Sequence, residues 1–243
     1  MKLGKIILAL ACASSWGQVA AFESKDAQID YILTQVESAP QEQKEQILER
    51  LQWSGLSDPR LFDVFEDNLL QHYQDKYPAD DLADLLAYQA RALGYSGNEK
   101  YQQTLSLLAE EAKNSSLRRH AKNGKRDLQT FIQVQDALQQ VQLSKGDRSF
   151  EVFTYSKMLE TADPYTQRLA ARAIYHEKRG EQALLDLTAE KLQGMYMNED
   201  LDSLAQDTAA WMCKVLKQHS AYEELLDNVA ENTPHRKIRR YAK

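Results

Sequence analysis

Laid over itself at an offset of 121 residues, the chain matches a long stretch of its own C-terminal part, and this constrains its fold more than any other feature. Residues 101–122 (YQQTLSLLAEEAKNSSLRRHAK) lie over residues 222–243 (YEELLDNVAENTPHRKIRRYAK) without a gap, and eight of the 22 positions are identical. Among these are Tyr101/Tyr222, Leu105/Leu226, Arg118/Arg239, Arg119/Arg240 and Lys122/Lys243. Upstream, after a shift of two residues, LAYQARALG at 86–94 lies over AAWMCKVLK at 209–217, which aligns Tyr88/Trp211, Ala90/Cys213, Arg91/Lys214 and Leu93/Leu216. Further back Tyr73 meets Tyr196, Trp53 meets Tyr175, and Ser38-Ala39-Pro40 meets Ala162-Asp163-Pro164. The match predicts two tandem units of about 120 residues each.

The units read as helical. Nine glycines and five prolines in 243 residues are few against ordinary usage of about 7% and about 5%, and Leu, Ala, Gln, Glu, Asp and Lys abound, which nearly excludes an all-β fold. Apolar residues recur at helical spacing, as in Tyr101, Leu105, Leu108, Ala112 and again in Leu117, Ala121, Leu128, Ile132. Asp58-Pro59, Asp163-Pro164 and Thr233-Pro234 look like helix starts, a capping side chain followed by a proline that suits the first turn; Ala39-Pro40 lacks the cap. Residues 94–98 and Gly146-Asp147 read as turns. Six helical hairpins are expected, near 27–54, 58–95, 98–140, 147–178, 181–218 and 220–243, grouped into a first unit at 22–140 and a second at 141–243.

Residues 1–21 have the form of a secretory signal peptide: Lys2 and Lys5, an apolar run from Ile6 to Ala13, and small residues ending at Ala21. Cleavage is expected after Ala21, which implies a periplasmic or secreted protein; lipid attachment at Cys12 is the alternative. The apolar run is too short to span a bilayer, and no other segment is apolar enough to do so. Loss of two lysines would leave 28 basic and 36 acidic residues, a formal charge of −8, and Cys213 as the sole cysteine. Internal disulfides are then impossible. Within its apolar pattern Cys213 reads as an inert buried thiol.

The segment ALGYSGNEKY at 92–101, followed by a helix and SSLRRHAK, together with ADPYTQRLAARAI at 162–174, resembles HEAT-type helical repeats. The likeness is good over 82–128 and 158–178. It implies an all-α fold, an α-solenoid whose surface binds a partner, typically a protein; HEAT-like repeats also occur in small enzymes acting on pigments.

Residues with a recognisable catalytic pattern are scarce. His72, His120, His176, His219 and His235 never pair at i, i+4 spacing, and His176-Glu177 lacks the second histidine of a zinc-protease helix, so neither a metal nor another cofactor is expected. There is no Cys-x-x-Cys, Gly-rich phosphate loop or Gly-x-Ser-x-Gly elbow. The chain reads as a non-catalytic binding or scaffold module of the bacterial envelope. A small HEAT-like enzyme, or a pigment- or lipid-handling protein with a pocket between repeats, is the alternative.

Basic charge in this acidic chain marks a candidate face. Lys113, Arg118, Arg119, Lys122, Lys125 and Arg126 occur without an intervening acid, and the C-terminal end repeats the pattern. At 100° per residue from Leu117, the apolar Ala121, Leu128, Phe131 and Ile132 fall between about −40° and 60°, and the cations from Arg118 onward between about 80° and 200°. Arg118, Arg119, Lys122, Arg239 and Arg240 are the expected contacts for an envelope protein or an anionic polymer. A purely structural reading instead pairs Arg118 and Arg239 with carboxylates of neighbouring repeats. Nucleic acid is disfavoured by the net negative charge and the export signal. Acids gathered in the middle hairpins, among them Asp58, Asp63 and Asp207, allow salt-sensitive head-to-tail self-association. The duplicated aromatics read mainly as packing, with Tyr95 in the 94–98 turn the most exposed.

Overall fold

The computed structural model describes residues 22–243. Residues 1–21, which carry the expected signal peptide, its expected cleavage after Ala21 and the alternative lipid site Cys12, lie outside the described residues. Within them the chain is all-α, with twelve α-helices and no strand. These are α1 (Lys25–Ser38), α2 (Gln41–Arg50), α3 (Pro59–His72), α4 (Asp80–Tyr95), α5 (Gln102–Glu111) and α6 (Ser115–Gln140), then α7 (Phe150–Glu160), α8 (Pro164–His176), α9 (Gln182–Met195), α10 (Ser203–Leu216), α11 (Glu223–Asn232) and α12 (Arg236–Ala242). Short 3-10 turns occupy Leu51–Trp53, Glu99–Tyr101 and Ser220–Tyr222.

Local chemistry explains most of the boundaries. Asp58 accepts the Arg60 N–H, and Asp163 those of Tyr165 and Thr166, each with proline opening the helix. Asn114, Ser149 and Asp202 cap α6, α7 and α10 in the same way. Thr233-Pro234 differs from expectation. The Thr233 hydroxyl donates to the Tyr196 carbonyl at 2.8 Å, and α12 begins two residues after the proline, so the pair docks a loop onto the end of α9 instead of capping a helix.

Each helix packs on its successor within a pair, from α1 on α2 to α11 on α12. The second members also follow one another, α2 on α4, α4 on α6, α6 on α8, α8 on α10 and α10 on α12. One continuous apolar core runs from Ile29 to Ala242. Two aligned tyrosines make the same contact. Tyr101 donates its hydroxyl to Asp63 of α3 at 2.7 Å, and Tyr222 donates to Asp186 of α9 at 2.7 Å.

Gly94 is not in a turn. It lies inside α4 where α4 crosses α6 at Gly124: a Cβ at Gly94 would stand 2.3 Å from the Gly124 carbonyl oxygen, and one at Gly124 would stand 2.4 Å from that of Ala90. Gly97, with φ of +59°, makes the turn. Tyr95 is therefore the last residue of a helix and only 9% exposed, packed on Phe131. Cys213 is fully buried, and burial pushes its thiol up to about 12, which leaves it inert.

Candidate ligand-binding face

The second helices of successive pairs carry a line of cations and aromatic rings beside the core. On α4 the sequence places Tyr88, Arg91 and Tyr95 at i, i+3, i+7, so they share one face. Tyr88 meets His120 of α6, Arg91 pairs with Asp127 of α6 at 2.8 Å and lies over the Tyr95 ring, and Tyr95 meets Phe131. Phe131 meets the edge of Tyr165 at the start of α8, beneath the Arg168 guanidinium. Arg168 donates to Asp207 of α10 at 3.0 Å, and Lys237 of α12 reaches the other oxygen of Asp207 at 2.5 Å. The carboxyl of Asp207 is thereby held below the usual carboxylate range, the hydrogen bonds from Lys237 and Arg168 outweighing its burial.

Between those neutralised pairs the charge is uncompensated. Arg172 of α8 lies 5.5 Å from the ring centres of both Trp53 and Trp211. Lys214 lies 3.7 Å from the Trp211 ring centre and 4.8 Å from that of Tyr241 on α12. Among the described residues neither cation has a carboxylate partner. His176 stacks on Trp53 at 5.5 Å and 11°, with Tyr175 and Trp211 on its other sides. Burial, then Arg172, Lys214 and Arg50, lower its pKa below the ordinary histidine range, so it is neutral near pH 7.

Rings hold these cations in place without neutralising them, which suits anion recognition. A cation against an aromatic face gains about 0.5–2 kcal/mol and keeps its outward N–H groups unspent. Arg172 is half-buried, and its Nη groups make no hydrogen bond to the described residues, so its planar fork is oriented in advance for a carboxylate, phosphate or sulfate.

The basic residues singled out in the sequence divide between two roles. Arg118 donates to the carbonyls of Ala112 and Lys113 at 2.5 and 3.1 Å, closing the C-terminus of α5. Arg239 does the same at α11, donating to Ala230 and Thr233 at 3.2 and 2.5 Å. Main-chain carbonyls, not the carboxylates of neighbouring repeats, are thus the partners, as expected of cations at the negative end of a helix dipole. Arg118→Ala and Arg239→Ala are each expected to cost about 1 kcal/mol of stability, a fall in thermal midpoint of about 2–4 °C. Thermal melts of the two variants test this, and unchanged midpoints would contradict it.

Arg119 and Arg240 are exposed at the rim of the aromatic face. Arg119 reaches His120 at 3.5 Å, and Arg240 lies over and donates to Tyr241 at 2.6 Å. Lys122 is exposed on α6. A surface depression of about 550 Å³ adjoins this end, lined by Gln206, Pro234, His235, Arg236, Lys237 and Arg240. Of the acids expected to self-associate, Asp58 is taken up by Arg60 and Lys25, which hold it well below the usual carboxylate range, and Asp63 by Lys100.

Tyr88/Trp211 and Arg91/Lys214 were visible in the self-alignment, where aromatic residues read as packing. The informative signal is their pairing. An aromatic followed three residues later by a cation recurs in both aligned segments, and at the offset that aligns Trp53 with Tyr175, Arg50 aligns with Arg172. Arg168 and Asp207 carry no comparable sequence signal.

Comparison with protein-family models, with curated proteins and with solved structures returns no match for this chain.

Proposed function

We propose that the protein is a non-catalytic binding module of the bacterial envelope, an α-solenoid of HEAT-like helix pairs in two tandem units, whose second-helix face takes an extended anionic ligand. The observation that carries this reading is the pairing of Arg172 and Lys214 with Trp53, Trp211 and Tyr241 in the absence of any carboxylate partner among the described residues. The two-unit reading is supported by matched contacts, Tyr101–Asp63 with Tyr222–Asp186 and Arg118 with Arg239. The ligand is a chain with carboxylate, sulfate or phosphate groups, such as an acid-rich protein segment or an anionic polymer. Its charges meet Arg172 and Lys214 at the centre and Arg119 and Arg240 at the rim, and its flat or apolar parts lie on the rings.

A chain beginning at Phe22 has two tryptophans, Trp53 and Trp211, both on this face, so tryptophan fluorescence reports its occupancy directly. Titration with polyglutamate and with dextran sulfate is expected to change the emission saturably, and added salt should weaken both effects. No change with either polymer would overturn the reading; a response to one alone identifies the favoured anion.

His176 adds a pH dependence. An anion beside it raises its lowered pKa, so binding takes up a proton and strengthens as pH falls from about 7 to about 5. Dextran sulfate keeps its charge over that range and isolates the protein's contribution. The gain is expected to shrink in His176→Gln, His120 also adjoining the face, and parallel pH profiles for the two proteins would contradict the assignment.

A further inference from the structure

We propose that Glu151 is a receptor for the chain's own N-terminus, the carboxylate that pairs with the α-ammonium of Phe22 once the targeting segment has been removed after Ala21. The proposal rests on the signal-peptide reading for its cleavage point and on the structure for its geometry. The Phe22 nitrogen stands 3.0 and 3.3 Å from the two carboxylate oxygens of Glu151, 129 residues away in the chain. The Phe22 carbonyl accepts the Phe150 N–H at 2.7 Å, and its ring lies 5.2 Å from that of Tyr31 on α1. One residue is therefore gripped by its nitrogen, its carbonyl and its side chain, which fastens the start of the chain to the first turn of α7.

Charge accounting explains why this grip calls for an ammonium. Glu151 is 2% exposed. The groups around it are Tyr155 on the same helix, Glu177 and Arg179 after α8, and Glu181 before α9. Glu177 takes the Tyr155 hydroxyl at 2.9 Å and Arg179 Nε at 3.0 Å; Arg179 spends Nη1 on Glu181 and stands 3.9 Å from Glu151. Two carboxylates are buried against one guanidinium. An amide N–H at Phe22 offers Glu151 a hydrogen bond and no charge, and in that state burial raises the Glu151 carboxyl above its usual range. A free amine would supply the missing cation at the same position.

The sign of the pH effect follows. An α-ammonium paired with a buried carboxylate has a folded-state pKa above its unfolded value of about 7.7–8.0. Its contribution is fully present below that value and is lost as pH rises through the folded-state pKa.

The test compares chains starting at Phe22 with chains carrying Gly-Ser-Gly-Ser before it, each with Glu151 and with Glu151→Gln. The extension is expected to raise the unfolding equilibrium constant about tenfold at pH 6 in the Glu151 background and to have no effect in the Gln background. Equal stabilities in the Glu151 background, or an equal penalty in both, overturn the proposal. Should the Gln variant fail to fold, the pH profile in the Glu151 background decides: a penalty that fades between about pH 8 and 10 supports the receptor, and a constant penalty overturns it. The mass of the protein recovered from a bacterium expressing the full chain tests the cleavage separately. A mass of residues 22–243 supports it, and retention of earlier residues overturns both the cleavage and the receptor's use.

Discussion

Gly94→Ala is expected to destabilise the protein by about 3 kcal/mol, lowering its thermal midpoint by about 6–12 °C. A new Cβ at Gly94 would meet main chain, standing 2.3 Å from the carbonyl oxygen and 2.7 Å from the Cα of Gly124. A flexible side chain could swing away from such a clash, but two helix backbones must separate. Separation opens the α4–α6 crossing and loosens Leu86, Ala90 and Leu93, all fully buried there. Ala gains about 1 kcal/mol of helix propensity over Gly, which offsets only part of this cost. Gly194 provides the internal control, since it lies in α9 with open space where a Cβ would go. Gly194→Ala should therefore stabilise, and thermal melts of the two variants should move in opposite directions. Shifts of the same sign would contradict the close-crossing account.

The crossing also shows where sequence reasoning fell short. A glycine ahead of Tyr95-Ser96-Gly97 looks like the opening of a turn, because scarce glycines usually mark chain reversals. Its actual reason is an encounter with Gly124, thirty residues away in sequence, and local pattern carries no trace of that partner. The helix pairs were legible for the opposite reason. Caps such as Asp58 and Asp163, proline at the first turn and apolar spacing are local signals, and the self-alignment supplied a second reading of the boundaries it covers.

The candidate face was half legible. Arg118 and Arg239 stood out because the self-alignment preserves them, yet what is preserved is a bond to the carbonyls that end α5 and α11. Repetition within one chain marks what packing requires as readily as what a ligand requires. Along the sequence Arg172 and Lys214 are marked only by their alignment with Arg50 and Arg91, and nothing local shows that they lie against Trp53, Trp211 and Tyr241, a group drawn from four separate elements.

Arg172→Ala combined with Lys214→Ala should weaken binding of an anionic polymer about 100-fold. Each cation contributes a charge-assisted contact of about 1.5 kcal/mol, and about 3 kcal/mol together corresponds to a factor of about 100. Both side chains are held by rings and not by acids, so their removal leaves no carboxylate unpaired among the described residues, and the fold should survive. The ring contacts themselves contribute about 0.5–2 kcal/mol each to stability, so circular dichroism and a melt accompany the binding measurement.

Lys113 and Lys125 offer the matched comparison. Both are exposed, neither lies against an aromatic ring of the described residues, and their loss removes the same charge. The decisive measurement is a fluorescence titration of dextran sulfate into a chain beginning at Phe22, the Arg172→Ala/Lys214→Ala variant and the Lys113→Ala/Lys125→Ala variant, at one ionic strength. Affinity should fall about 100-fold in the first pair and less than about threefold in the second. Equal losses in the two variants would mean that the polymer responds to net charge alone, and the cation–aromatic face would not be a binding site.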